Sequence, residues 1–581
     1  MRPAIDPRRG DIEDDASSSK RRSLLSLAGS LLAEISLPKL VVAFTLLVVL
    51  PGLALGIAPI VVAIWFGKLE SKLASALAGV WPAVLLVIVI AVGWFGGRTL
   101  FRLAEKSFWS LNSLVVQPAY TVCREALRQL TERLLPARAS KIQRARLRAA
   151  AAFVSGGMIC GVALLVLAAV LPHADLLRGA AGVGSLKHLA AVALANTVVL
   201  IAGYLAAAAL VWGIADATMA QPLDLERFDE RPEGGRTWRI AHLSDVHVVG
   251  ERYGFRLESG RSGPRGNERL RRLLAQLETL HASGPLHAIV VSGDMTDAGR
   301  SSEWAEFLDA VLRHPRLAER ILIIPGNHDL NIVDRANPAR LDLPTSPNKR
   351  LRKLRVLSAM AVVQGERVRV VDRARRHLGA TLASTLEPHL KEMARFADIG
   401  RPWLAKRLSD LWTNIFPMVL PPDPDDGLGI ILLDSNADTH FSFTNALGMI
   451  SVDQARGLEI ACAQYPHACW IVALHHHVVE YPRPARALSE RVGTALINGN
   501  WFVRRLKPLA GRALLMHGHR HIDWIGECGG IPILSAPSPV MEATDDVATY
   551  FYVHTLAVGP DQRLRLLQPQ RITVEGELSS A

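Results

Sequence analysis

Hydrophobic and polar positions are distributed differently in the first third of the chain and in the rest. Four long apolar runs, at residues 40–66, 77–95, 149–171 and 189–214, contain no Asp, Glu, Lys or Arg. Each reaches the roughly 18 residues that a helix needs to cross a bilayer, so the pattern predicts four membrane spans. Beyond Asp216 the apolar runs shorten and each ends in polar groups. Residues 239–244 lead to Asp245-Val246-His247, and residues 286–292 lead to Gly293-Asp294-Met295-Thr296-Asp297. Residues 321–325 lead to Gly326-Asn327-His328-Asp329, residues 470–474 to His475-His476-His477, and residues 513–516 to His517-Gly518-His519-Arg520-His521. Short runs rich in Ile, Val and Leu predict buried strands. Polar groups at their ends sit on a rigid scaffold while the loops stay free to fit a ligand.

The first third reads as a membrane region. Trp65, Phe66, Trp81, Trp94 and Trp212 fall near the ends of the runs, where amphipathic rings suit a membrane interface. Between the second and third runs lies a basic segment that includes Arg98, Arg102, Lys106, Arg124, Arg128, Arg133 and Arg148. Excess cations mark the cytoplasmic side, which places this segment and residues 1–39 there. Four crossings return the chain to its starting side. The expectation is an integral protein of the inner (cytoplasmic) membrane with both termini cytoplasmic. Residues 1–39, polar and mixed in charge, read as a disordered cytoplasmic tail. No Asp, Glu, Lys or Arg lies inside a run, so anchoring is the expected role. Asn196 and Thr197 read as helix–helix hydrogen bonds, and Gly203 with Ala207 as a small-residue packing signal.

Composition narrows the reading further. The 581 residues exceed one ordinary core, half of them are apolar, and the formal charge is +12. Mean hydropathy is +0.20. The basic balance allows a nucleic-acid partner, but membrane topology accounts for much of it, so nucleic acid is not expected. Five cysteines with no CxxC pair give no disulfide framework and suit a reducing compartment.

The ordered set of strand-end motifs resembles the calcineurin-like metallophosphoesterase superfamily, whose signature runs DxH, GDxxD, GNH(D/E), a lone His, then GHxH. All of these elements stand in that order between Asp245 and His521. The resemblance implies a four-layer αββα sandwich of two mixed sheets and a centre of two divalent metal ions (Mn, Fe or Zn). It assigns Asp245, His247 and His521 to one ion and Asn327, His475 and His519 to the other, with Asp294 bridging them. His328 is then not a ligand but the group that protonates the leaving oxygen or stabilises the charge on the transferring phosphoryl group, and Asp297 and Asp329 are carboxylates that orient histidines. The implied nucleophile is a metal-bridging hydroxide. The donor types agree with this chemistry, because carboxylate, imidazole and amide oxygen suit such cations and no thiolate is present. Within the histidine triplet His475 is favoured, and His476 stays open as the ligand. His517 and His242 read as buried structural histidines.

The expected domains are the tail, a four-span region at 40–214, a linker at 215–237, and a metallophosphoesterase domain at 238–575. The latter carries an insertion at 335–425 that reads as a helical cap. Its cations Lys349, Arg350, Arg352, Lys353 and Arg355 read equally as a selector for phosphate or lipid headgroups and as a solvated helical face. The fold class is thus α/β with an N-terminal four-helix transmembrane region. The expected partners are a phosphoester substrate, with lipid- and nucleotide-linked esters among the candidates, and membrane lipids. Two further functions are kept: a catalytically idle membrane receptor or scaffold, and a nuclease.

Overall fold

The computed structural model describes residues 3–11, 38, 41–42, 44–76, 84, 87, 116–135, 140–176, 185–251, 265–333, 342, 347–400, 404, 407–439, 442, 445–482, 496–540 and 548–574. The chain divides into two units. One comprises Leu37–Met219 and Pro484–Val492; the other comprises Met1–Ser36, Ala220–Arg483 and Gly493–Ala581.

The first unit is helical: α1 (Leu50–Ala76), α2 (Gln117–Leu134), α3 (Lys141–Val170) and α4 (Leu186–Ala217). Two helices among the described residues, Ile142–His173 and Leu186–Ala217, are long and apolar enough to cross a membrane. They coincide with the third and fourth apolar runs. The first run yields a shorter apolar helix, Leu50–Trp65, and the second lies almost wholly outside the described residues. Helices α3 and α4 approach most closely at small residues. A Cβ on Gly156 would lie 2.6 Å from the Ala209 carbonyl oxygen and 2.9 Å from Gly213 Cα. The packing signal expected at Gly203 and Ala207 is therefore better placed at Ala152/Gly156 against Ala209/Gly213. Gly203 itself meets only Leu167 Cδ1, at an ordinary 3.5 Å. Asn196 Nδ2 donates to the Gly56 carbonyl and Thr197 Oγ1 to that of Gly52, as helix–helix bonds. Part of the basic segment forms α2, where Arg124 pairs with Asp216 and Glu125, and Arg128 with Glu125.

The second unit is built on two mixed sheets. The strands that carry the motifs are β1 (Arg236–Leu243), β2 (Ala288–Val291), β3 (Ile321–Ile323), β4 (Leu428–Leu432), β5 (Cys469–Ala473) and β6 (Ala513–His517). In one sheet β1, β2 and β3 run parallel, with Ile240 opposite Ala288 and Ile289 opposite Ile321. In the other β4, β5 and β6 run parallel, with Leu428 opposite Cys469 and Ala513 opposite Trp470. Strands β2 to β6 are buried along their whole length and β1 along its second half, which is why they read as continuous apolar runs instead of alternating ones. Parallel order points every motif strand's C-terminal end to one edge of its sheet, and the motifs follow directly from those ends.

Two expectations need correction. The segment read as a helical cap is not wholly helical. It contains helix α5 (Pro347–Gln364), but Arg369–Asp372, His377–Thr381 and Met418–Leu420 add three strands to the sheet that holds β4. A run of Val368, Val370 and Val371 between polar residues is too short to have outweighed the helical signal around it. The tail read as disordered is ordered at residues 3–11. Pro7–Arg9 forms one 3₁₀ turn capped by Asp6, and Ile5 is buried in the core of the second unit. The linker is likewise engaged, since Leu223 and Asp224 pair with Glu527 and Gly526.

Candidate metal centre

Asp245 and His247 follow β1 and are tied to the loop after β2. Asp245 N donates to the Gly293 carbonyl at 3.0 Å and His247 N to the Asp294 carbonyl at 2.9 Å. The short helix Asn327–Leu330 opens after β3, and its His328 N donates to Asp294 Oδ1 at 2.8 Å. These approaches leave no room for a side chain at two glycines. A Cβ on Gly326 would lie 2.1 Å from Asp294 Oδ1, and one on Gly293 would lie 2.2 Å from His475 Nδ1. Gly293 also has a φ of 110°.

The unbonded oxygen of Asp294 lies between two histidines. Oδ2 is 3.3 Å from His475 Nε2 and 3.7 Å from His247 Nε2. Around His475 Nε2 stand Asn327 Oδ1 and His519 Nδ1, each at 3.1 Å. Around Asp245 Oδ1 stand His521 Nε2 at 3.4 Å and His247 Nε2 at 3.9 Å. Asp245, His247 and His521 form one group able to hold a metal ion, and Asp294, His475 and His519 form another. The predicted ligands thus lie near one another, with Asn327 beside His475, and His247 also groups with Asp297 and His328. His476 is not among them. Its Nδ1 meets Ser435 Oγ at 2.9 Å, and the same hydroxyl accepts the backbone N–H groups of His475 and His476.

The donor atoms fit a divalent cation. His475 Nδ1 faces the Ser292 carbonyl at 2.8 Å and must carry its proton there, which leaves the Nε2 lone pair aimed at Asp294. Asp245 Oδ1 and His247 Nε2 are buried without a hydrogen-bond partner, although buried polar groups are ordinarily satisfied. Burial lowers the His247 imidazole to about 4, so at neutral pH it is an uncharged donor. Burial alone would lower His475 too, but the Asp294 and Asp245 carboxylates outweigh it and raise it to about 9. In the absence of metal, a proton on His475 thus offsets the crowded carboxylates. Backbone conformation marks the same residues. Among the described residues, seven non-glycine residues have positive φ, and five of them are Asp245, His247, Asp294, His519 and His521. Such strain gathers at functional sites because the surrounding structure must impose it.

Residues 239–523 match the family model for calcineurin-like phosphoesterases. This is a calcineurin-like phosphoesterase domain. With its clustered His and Asp donors, it makes the protein a metal-dependent phosphoester hydrolase. No curated protein matches the chain. Among solved structures, a dimetal phosphatase from Danio rerio is 13% identical over 58% of this chain and 99% of its own, with a TM-score of 0.33. A purple acid phosphatase from yellow lupin (Lupinus luteus) seeds is 11% identical over 59% of this chain and 52% of its own, with a TM-score of 0.26. This chain spans about half the length of the lupin protein. The overlaps are too low to carry a role from those proteins to this one.

The remaining predicted residues fall around the phosphoesterase centre. His328 is half-buried, with its ring edge-on to His247 at 4.5 Å between centroids. Its Nδ1 lies 2.6 Å from the Asp297 carbonyl oxygen. Asp297 Oδ1 is 3.4 Å from His247 Nδ1, the position of a carboxylate that orients a ligand ring. Asp329 has a different place from the one expected. It accepts from Thr296 N and Oγ1 and from Gly326 N, so it braces the loop after β2 against the one after β3 instead of orienting a histidine. His517 and His242 are fully buried, as expected of structural histidines.

Sequence reasoning missed Ser435, which anchors the histidine triplet, and Glu303, whose carboxylate accepts from Ala298 N and Arg300 N beside Asp297. It also misplaced the insertion's cations. Lys349 pairs with Asp438, Arg352 with Asp342 and Arg355 with Asp11, and all three cations are buried. Neither a headgroup selector nor a solvated face describes them. Their three-residue spacing, which puts them on one helix face, was the available signal.

Proposed function

We propose that the protein is a membrane-anchored phosphoesterase that uses two divalent ions, one held by Asp245, His247 and His521 and the other by Asn327, His475 and His519. Asp294 is shared between them. The observation that carries this reading is the position of Asp294 Oδ2 between His475 Nε2 and His247 Nε2, where one carboxylate oxygen faces both sets. Such ions, Mn, Fe or Zn, neutralise phosphoryl charge and lower the pKa of bound water. His328 serves the leaving group. The Asp297 carbonyl fixes its proton on Nδ1, so Nε2 is the atom that passes a proton to the departing oxygen. Asp297 steadies the His247 ring, and the carbonyl of Ser292 steadies that of His475.

The substrate is a phosphodiester or phosphomonoester, lipid- or nucleotide-linked, met at the cytoplasmic face. Support for the membrane reading comes from four uncharged runs, the cations that flank them, and the outer surfaces of the described helices. Phe153, Val162 and Leu165 on α3 and Leu194 and Val211 on α4 are more than half exposed. Such surfaces suit lipid rather than water. The test is Mn2+-dependent hydrolysis of an artificial aryl phosphodiester by the purified protein, and turnover that survives Asp294→Asn would sink the shared-carboxylate role. A cytoplasm-dependent reporter fused after Ala581 checks the orientation, and a silent fusion of an expressed protein would reverse it.

A further inference from the structure

The N-terminal segment, which precedes the first apolar run, contributes to the phosphoesterase domain. Ile5 N donates to Ser358 Oγ on α5 at 2.9 Å, and Arg8 Nε donates to Asp309 Oδ1 on the helix Ser301–Leu312 at 2.9 Å. Asp11 forms a two-pronged ion pair with the Arg355 guanidinium of α5. Both partners are buried, Asp11 at 1% exposure and Arg355 at 3%. The same guanidinium reaches the centre's edge, where its Nη1 donates to the Gly299 carbonyl at 2.9 Å.

Gly299 belongs to the loop that closes on the centre. Its N–H donates to Thr296 Oγ1 at 3.1 Å, and a Cβ there would lie 2.6 Å from the Asp329 carbonyl oxygen. Two residues earlier, Asp297 uses its carbonyl oxygen for His328 and its carboxylate for His247. A buried ion pair adds little net stability over an apolar pair of similar volume. What an apolar pair would not supply is a planar donor held at fixed angle to the Gly299 carbonyl.

We infer that Asp11 is a positioning residue for the hydrolytic reaction: it orients Arg355, which pins Gly299 and so sets the loop that aims Asp297, His247 and His328. The inference rests on the roles proposed above for those residues.

The test uses the full chain in detergent, with an alkyl phosphodiester (glycerophosphocholine), whose leaving group needs a proton, and Mn2+ as probes. The double variant Asp11→Leu/Arg355→Met removes both buried charges together, which keeps the melting temperature near the parent's. The expected result is a fall in kcat of about tenfold to a hundredfold with KM unchanged, the signature of a misplaced group and not of lost binding. Amide exchange at residues 296–300 rises in the metal-free protein. Arg8→Ala, which loses a contact of the same segment without touching the loop, leaves both readouts at the parent's values. Should the double variant not fold, Arg355→Lys keeps the charge but loses the fork, and it is read in the same way. Parental kcat and parental exchange would overturn the inference. Asp294→Asn assayed alongside separates the two levels: if it stays active the centre itself is misassigned, whereas if it is inactive only the role of Asp11 fails.

Discussion

His328 Nδ1 lies 2.6 Å from the carbonyl oxygen of Asp297. A carbonyl only accepts, so the proton is on Nδ1, and Nε2 is left to exchange a proton with the substrate. His328→Asn retains a donor near the Nδ1 position and lacks anything at Nε2. Its kcat is expected to fall about 10²- to 10⁴-fold, the usual worth of a placed proton donor. The loss should be greatest for alkyl esters, which need a proton to leave, and small for 4-nitrophenyl esters, which do not. Equal losses across such a leaving-group series would remove His328 from this role.

His475 sets a pH dependence for metal binding. Its metal-free pKa is raised to about 9 by neighbouring carboxylates that outweigh burial. A metal needs the neutral ring, so below that pH binding must displace one proton. Affinity for Mn2+ should therefore rise about tenfold per pH unit toward that value and then level. The metal-free protein should show the opposite trend, because a raised histidine stabilises the fold below its unfolded pKa and that stabilisation is lost as pH rises through about 9. Titration calorimetry in buffers of differing ionisation enthalpy measures the proton directly. No proton release near neutral pH would contradict the assignment.

Glu303 is a second sensor, buried beside Asp297. Burial first, and then the Asp297 charge, push its carboxyl up to about 8. The folded state then holds this proton more tightly than the unfolded state, so stability falls as pH rises from the ordinary carboxylate range through about 8. Glu303→Gln should flatten the melting-temperature profile of the metal-free protein across that window. It should also raise the midpoint at the alkaline end, by roughly 3 °C or more. Parallel profiles for the two proteins would show that the carboxyl titrates normally.

Gly326→Ala tests the close approach of the two loops. The added methyl would overlap Asp294 Oδ1 and the Asp294 backbone N, at 2.1 Å and 2.3 Å. Backbone must shift, at about 1–3 kcal/mol of stability for an overpacked site. The displaced Asp294 should reduce both metal content and turnover strongly. Full metal occupancy, measured by elemental analysis of the purified variant, would count against the crowding.

The centre was legible in the sequence because each ligand follows a buried strand, and parallel strands deliver their ends to a common edge. What supports the ligands was not legible. Asp11 and Arg355 lie 344 positions apart, and nothing local to either residue announces the other. Residues 3–11 have a composition that reads as tail, yet Ile5, Arg8 and Asp11 tie them to the domain. The strands at Arg369–Asp372 and Met418–Leu420 were missed because short valine runs are strand-like only beside a partner, and theirs is supplied by tertiary context. In the first unit, hydropathy located the helices but not their contacts. Gly156 and Gly213 were indistinguishable from neighbouring small residues until the crossing point was known.

The five candidate ligands with left-handed backbone, at φ between 48° and 74°, set the domain's working residues against its own robustness. Holding a side chain there costs on the order of 1 kcal/mol or more per residue. Glycine or asparagine would sit at those positions with less resistance. A library of variants sorted only for heat resistance, without metal, should therefore accept change at Asp245, His247, Asp294, His519 and His521 sooner than in the strands behind them. Turnover would vanish as endurance rose, and only selection for chemistry would hold these letters in place.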